Sequence, residues 1–466
     1  MGLMMARFFV VGFFFCLLGS AARGEWKASV NADATIEGMD WTNGSLSPDN
    51  HVIRDIFTLK IPTTIKNGRT LKFRFLPLVQ ADPETASRTD PQHPDRNERV
   101  YWDFQEAYMQ LSANSWTLQL GMNVQSWGDT DVFNPLDVVN SRRYYDPLRA
   151  EKIDAGTVLL KKEWEKLFVE LLYIPIQPET LLPGEQSRWL PRDIYKSRSF
   201  EGQPFTNGTT LSGVVNLPSN LRYHYGSVAV LNAADRDNIG GRVKFRLPGF
   251  DWTLAGFQGA ANSPAVNLTN ISLAPTVITP GTTSLDLTVL PDVYLQALYF
   301  KNRMLGTSFV WSVGEFLIKG ASAQNHVVSQ LTGDVANRLP KDDWENALGA
   351  EHTFTVGSGT LTALAQGTYV KRNEALDTNS VSLARMFDRA GMIGLRWAPN
   401  EKWSALASLL YDIQFKGNLE HAEVGYKISD GWTSKLSGDA LNGSAETPIG
   451  TYRRNDRVII SLNVQK

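Results

Sequence analysis

What most constrains this chain is the rhythm of its connections. Short links and long links alternate along nearly its whole length. The short ones are Lys66-Asn67-Gly68, Ala113-Asn114, Glu165-Lys166, Pro248-Gly249, Lys301-Asn302-Arg303, Gly357-Ser358-Gly359, Pro399-Asn400-Glu401-Lys402 and Ser429-Asp430-Gly431. Glycine and asparagine at these points supply the backbone conformations that tight turns need. Between them lie long polar stretches at about 38–51, 81–99, 126–153, 176–236, 261–283, 320–342, 373–387 and 440–454. Only the link near Lys416-Gly417 is short where a long one is due.

The segments so joined alternate with period two, the signature of a strand with two unlike faces. Trp116, Leu118, Leu120, Met122 and Val124 share one face, and Thr117, Gln119, Asn123 and Gln125 the other. Val458, Ile460, Leu462 and Val464 repeat the pattern near the C-terminus, opposite Ser461, Asn463 and Gln465. Strands are expected at roughly 26–37, 52–61, 69–80, 100–112, 115–125, 154–163, 167–175, 237–246, 251–260, 285–300, 305–319, 343–356, 360–372, 388–398, 403–413, 419–428, 432–439 and 455–465. A strand pair near Tyr225–Asn232 is a further option inside the long 176–236 stretch.

A closed up-and-down barrel in an outer membrane has this rhythm, with tight turns on one rim and long loops on the other. A soluble sandwich has no reason to alternate its loop lengths so regularly. In lipid every backbone donor and acceptor must be paired, so a sheet can span only when closed. The expected fold is therefore all-β: one closed antiparallel transmembrane barrel of about eighteen strands, range sixteen to twenty, a size that leaves an aqueous bore. Trp116, Trp164, Trp252, Trp397, Trp403 and Trp432 each lie beside a short turn, where amphipathic rings gather at a membrane boundary.

The N-terminus agrees on compartment. Arg7, the apolar run Phe8–Leu18 and the small residues up to Gly24 form a secretory signal peptide, 1–24, leaving 25–466 as the barrel. Cys16 is the sole cysteine and falls inside that leader, so disulfides, zinc clusters and thiol catalysis have no residues to use. The near-balanced charge, −2 overall, gives no footprint for nucleic acid.

With the apolar face outward, Arg54, Lys60, Lys72, Arg74, Arg242, Lys244 and Arg246 point into the lumen, and Lys161 and Arg396 do likewise. Glu106, Glu163, Glu170, Glu351 and Glu423 oppose them. Two consequences stay open: a selective pathway favouring anions or sugar acids, or a salt-bridge lattice that stiffens the wall. The six histidines show no metal-ligand spacing, and His352, on the outward register, has no serine motif beside it. No reaction, cofactor or metal is expected. Asp129 and Asp131 resemble the opening of a calcium loop, but the glycine and glutamate of an EF-hand are missing; a looser site from Asp129, Asp131, Asn134 and Asp137 is the remaining option.

Trp127-Gly128-Asp129, Asp131, Asn134, Asp137 and Asn140, with the preceding Glu106-Ala107-Tyr108, resemble a segment of a porin-like family of bacterial outer-membrane barrels, distantly similar to alginate-exporting porins. The likeness runs from Trp102 to Glu163. Val139-Asn140-Ser141 stands where relatives often carry Asn-Pro-Arg-Asp, and the chain ends Val464-Gln465-Lys466 without a terminal aromatic. The resemblance implies a barrel, monomeric or loosely associated up to a homotrimer, with a constricting loop.

The expected function is passive diffusion of small hydrophilic solutes across a Gram-negative outer membrane. The loop 126–153 would fold inward, so that Asp129, Asp131 and Asp137, with Arg142 and Arg143, face a basic wall of Arg54, Lys72, Arg74 and Arg242. The partners of such a barrel are outer-membrane lipids, lipopolysaccharide, the barrel-assembly machinery and its solutes. The competing reading is a barrel plugged by its loops, with 176–236 as a large outer loop, anchoring a surface or motility complex or exporting a polymer or lipid.

Overall fold

The alternating segments pair antiparallel, each with its neighbour in sequence, until the last meets the first. In the computed structural model the described residues are 26–42, 53–68, 70–82, 89–90, 93–97, 100–185, 187–190, 197–204, 210–216, 221–278, 285–328, 339–372, 383–445 and 447–466. The leader read at 1–24 lies outside them, as do parts of several long connections.

The barrel has 18 strands. They are β1 (Trp26–Val30 and Asp33–Trp41), β2 (Ile53–Lys60 and Thr63–Asn67), β3 (Leu71–Ala81), β4 (Val100–Ala113), β5 (Trp116–Asn123) and β6 (Ala155–Glu163). Next come β7 (Leu167–Ile176), β8 (Arg236–Leu247), β9 (Phe250–Ala260), β10 (Lys301–Val313), β11 (Phe316–Val327) and β12 (Asp343–Val356). The wall ends with β13 (Gly359–Arg372), β14 (Arg389–Ala398), β15 (Trp403–Asp412), β16 (Gly417–Ser429), β17 (Trp432–Asn442) and β18 (Arg457–Gln465). Asp33 to Trp41 on β1 pair with Gln465 to Arg457 on β18, which closes the sheet and removes its edges.

The first two strands are each broken at one level. Pro62 has no N–H to give the ladder; its carbonyl instead accepts from Asn31 N at 3.1 Å, and Ile61 N reaches the carbonyl of Pro77 at 3.2 Å. Pro77 itself sits at a register shift of β3. Proline inside a sheet is tolerated at such irregularities, and here they fall side by side.

Outward residues form an apolar band: Leu305, Ile393 and Ile460 are 60–61% exposed. Such a face is costly in water and natural in hydrocarbon. Trp116, Trp164, Trp252, Trp311, Trp397, Trp403 and Trp432 stand exposed at the short-turn rim, with Trp102, Trp344, Tyr369 and Tyr411 exposed towards the other. His352 belongs to the first belt, between the rings of Phe316 and Phe354. Among the described residues no helix is long and apolar enough to cross a membrane; the strands make the crossing. Two aromatic belts around an apolar band on a closed barrel define an outer-membrane protein.

Two expected strands are corrected. The stretch expected at 285–300 is not in the wall. Leu285–Tyr299 is the centre of a separate 6-stranded sheet built from the loops after β7 and β9. It runs antiparallel to Ala265–Ile278 and parallel to Arg222–Tyr225 and Ala229–Val230. The strand pair suggested near Tyr225–Asn232 is thus two short strands pairing with 285–299 rather than with each other. Conversely, the segment expected at 305–319 is two strands, β10 and β11, folded about Gly314 at φ 60°. Lys301-Asn302-Arg303, expected as a turn, opens β10. One strand lost and one gained leave the number unchanged.

Candidate constriction loop

The chain leaves β5 at Asn123 and re-enters the wall at Ala155. Asn140, 2% exposed, ties the two ends of the excursion: its Oδ1 accepts from Gln125 N at 2.7 Å and its Nδ2 donates to the carbonyl of Ile153 at 2.8 Å. Trp127 is fully buried and meets Phe257 edge-on, with its indole N–H donating to Glu170 Oε1 at 3.0 Å. Gly240 makes room for that ring, since a Cβ there would stand 2.7 Å from it. Gly128 takes φ +83°, and Asn134 folds over it, donating from Nδ2 to the carbonyl of Trp127 at 2.8 Å. The Trp-Gly and asparagine residues of the sequence segment therefore have mechanical duties: they fix where the loop leaves the wall and how it turns.

Past this anchor the loop crosses the lumen. Asp129 accepts from Ser308 Oγ of β10 at 2.8 Å and lies 3.5 Å from Lys244 of β8. Asp131 pairs with Lys319 of β11 at 2.9 Å, and Lys319 also reaches Glu351 of β12 at 3.1 Å. At the tip, Gln366 of β13 brackets the backbone, accepting from Val132 N at 3.1 Å and donating to the carbonyl of Phe133 at 2.8 Å. The loop then returns along a different wall. Arg143 pairs with Glu151 and lies over the ring of Tyr101 of β4. Asp146 pairs with the buried Arg457 of β18, which also holds Asp439 of β17 at 2.6 Å. Arg149 reaches Glu37 of β1 at 2.7 Å. Burial opposes the charge of Arg149, but the hydrogen bond and charge of Glu37 outweigh it and raise its affinity for the proton. Burial also raises the hydroxyl of Tyr144 above its ordinary value. Every wall partner named in this crossing, from β8 round to β1, belongs to the row opposite the lipid-facing one, so the loop lies inside the barrel.

The four wall cations expected to face the loop's acids each have other partners. Arg54 is held by Asp82. Lys72 donates to the Tyr108 hydroxyl at 3.2 Å, and Arg74 to Glu106 at 2.6 Å and Thr64 at 3.0 Å. Arg242 binds Glu170 at 3.0 Å and the carbonyl of Ser126 at 3.2 Å. The cations that meet the loop's acids are Lys244, Lys319 and, for Asp137, the loop's own Arg142 and Lys152, both at 2.5 Å. The acids thus go to separate partners instead of converging on one cation site. Lys319 was obscured because the strand carrying it was read through Gly314. Each of the five wall glutamates has a cation beside it: Glu106 with Arg74, Glu163 with Lys161, Glu170 with Arg242, Glu351 with Lys319 and Glu423 with Lys435.

A second feature escaped sequence reading. Towards the long-loop rim, Met39, Trp41, Ile56, Met392, Leu410, Leu441 and Ile459 point inward and pack with Trp189, Met386, Ile449 and Tyr452 from three other loops. Their alternation marks them only as the inward row. Nothing local says that loops far away in sequence will cover them.

No family model and no curated protein matches the chain. Solved structures do match over nearly its full length. OccAB1 of Acinetobacter baumannii shares 8% identity, covers 95% of this chain and 96% of its own, and superposes with a TM-score of 0.50. OccAB4 of the same organism shares 10% identity over 95% and 98% with a TM-score of 0.47. A BenF-like porin of Pseudomonas fluorescens shares 8% over 95% and 98% at 0.46. At such identities the likeness is one of fold. What this chain shares with them is the closed antiparallel barrel of outer-membrane proteins.

Proposed function

We propose that the barrel passes small hydrophilic solutes passively, and that the loop 126–153 narrows the bore. The carrying observation is the path of that loop: it is anchored at β5, reaches β13 across the lumen and returns to β18 and β1. Asp129, Asp131, Asp137 and Arg142 form its charged surface, with Lys72 and Arg74 on the wall as the other side; Arg143, buried over Tyr101, and Arg242, held at the root of the loop by Glu170 and Ser126, shape that passage from behind. Arg54, closed in its pair with Asp82, contributes least. Opposed charges across a narrow passage orient polar solutes.

A preference for anions or sugar acids follows from which charges are neutralised. The five wall glutamates and the loop's Asp129, Asp131 and Asp137 are all matched by cations. Lys72 has only a neutral hydroxyl, and Arg396 has no ion pair or hydrogen bond among the described residues. Uncompensated cations in a lumen raise the local concentration of anions. Reversal potentials of single channels under a salt gradient test this: anion selectivity is expected, and cation selectivity would overturn the preference.

The apolar contacts of Trp189, Met386, Ile449 and Tyr452 support a second reading, a barrel plugged for anchoring or export. Stoichiometric co-purification of a partner, together with absent conductance, would favour it.

A further inference from the structure

One row of side chains runs along the inner wall to the 126–153 loop. His421 of β16 stands directly opposite Asp439 of β17, and Asp439 directly opposite Arg457 of β18. All three face inward and are bonded in series. His421 Nδ1 lies 2.7 Å from Asp439 Oδ1, and Arg457 Nε donates to Asp439 Oδ2 at 2.6 Å. Arg457 Nη1 then reaches Asp146 of the loop. Asp146 organises the turn that follows it: its Oδ1 accepts from Leu148 N at 3.2 Å and its carbonyl from Arg149 N at 3.0 Å. What holds Asp146 to the wall therefore holds residues 146–149.

Protons reach this row at one end. The His421 side chain is 30% exposed, whereas those of Asp439 and Arg457 are 9% and 0% exposed. A carboxylate oxygen only accepts, so Nδ1 carries the hydrogen that faces Asp439 in either charge state. A further proton goes to Nε2 and leaves that bond intact. With His421 neutral, two carboxylates, Asp439 and Asp146, share the one guanidinium of Arg457, and the row is a positive charge short of balance. Protonated His421 supplies that charge. The charged groups facing the histidine are Asp439, Arg457 and Glu423, and Glu423 is held by Lys435 of β17 at 3.0 Å. On β15 the residue opposite is the uncharged Ser408. Arg457 lies over the rings of Trp41 and Trp189, where attraction between charges is little screened, so the balance counts.

We propose that His421 works a proton-operated latch on the 126–153 loop. Protonated, it satisfies Asp439 and leaves the guanidinium of Arg457 to hold Asp146. Neutral, it leaves Asp439 and Asp146 competing for Arg457, and the loop loosens. The inference rests on the reading that this loop narrows the bore. The passage is then narrower and steadier in acid than in alkali, across the range in which histidines titrate.

Hydrogen exchange of the full barrel in detergent, expressed as protection relative to the intrinsic rate at each pH, tests the latch without reference to conduction. From about pH 5.5 to about pH 8, residues 144–153 of the wild type are expected to lose protection several-fold while the strands keep theirs. His421→Gln, which cannot take the proton, is expected to show the lower protection at both values. His421→Asn serves where His421→Gln does not fold. His326→Gln, at a ring that pairs with Asp342 away from this row, is expected to keep the wild-type response. Wild-type protection that does not change with pH, or a folded His421→Gln that retains the response, would overturn the proposal. The two readings fail separately: a latch that tightens in a barrel without conductance refutes the pore alone, and a loop indifferent to pH in a conducting barrel refutes the latch alone.

Discussion

The two ends of the lumen are built on opposite principles. Towards the short-turn rim the inward rows carry charge, matched across neighbouring strands in Arg74 with Glu106, Lys319 with Glu351 and Lys435 with Glu423, and along β6 in Lys161 with Glu163. Towards the long-loop rim, on the arc from β14 round to β2, the inward rows carry a cluster of apolar and aromatic side chains onto which loops are packed. Trp189 sits between Trp41 and Tyr452, with ring centroids at 6.2 and 5.5 Å. The difference separates two tasks. Matched charges keep a passage wet and give it a potential, yet exposed pairs contribute little to stability. Apolar burial fixes loops in place and leaves little for a hydrated solute to bind. Arg457, 1% exposed, is the charged exception there: it binds Asp146 of the 126–153 loop and Asp439 of the wall.

Substitutions sharpen this division, and the largest effect is expected where the loop is anchored by burial. Trp127→Ala removes a fully buried indole and should cost about 3–5 kcal/mol in detergent unfolding, with a larger and noisier conductance as the loop loosens. Trp127→Phe keeps the packing, and Glu170 keeps Arg242, so its cost should be far smaller. Asn140→Ala strands the Gln125 N–H and the Ile153 carbonyl, at about 1–3 kcal/mol; hydrogen exchange of residues 124–154 should rise while that of the strands does not. Asp131→Asn belongs to the ionic region. Lys319 keeps Glu351, so stability should change by less than about 1 kcal/mol, while the reversal potential moves towards anions. Smallest in stability is Arg396→Glu, an exposed position without a partner among the described residues; it should leave unfolding unchanged and shift selectivity towards cations. Were Arg396→Glu to destabilise as Trp127→Ala does, the division between the two regions would fail.

Much of the wall was legible because lipid enforces local rules. Each strand must show one apolar face, and each tight turn needs its own residue chemistry, so alternation and punctuation locate most strands directly. The failures share one physical cause. Period two records that a segment is a strand with two environments and says nothing about which segment it pairs with, so Leu285–Tyr299 read like wall although it lies in the loop sheet. The turn at Gly314 has only one glycine to mark it, and Leu317 beyond it falls in phase with Phe309, Trp311 and Val313. On the loop, the Trp-Gly and the asparagines were visible because their chemistry is local. The partners of Asp129 and Asp131 were not, because Lys244 and Lys319 are more than a hundred residues away and only closure of the barrel brings them near.

The central claim is that the loop from β5 crosses an otherwise open bore and limits it. Single-channel recording of purified wild type and Trp127→Ala in planar bilayers tests it most directly. The account predicts a small, steady conductance for the wild type and a larger, fluctuating one for the variant. A wild type that never conducts, or a folded variant whose conductance matches it, would contradict the account.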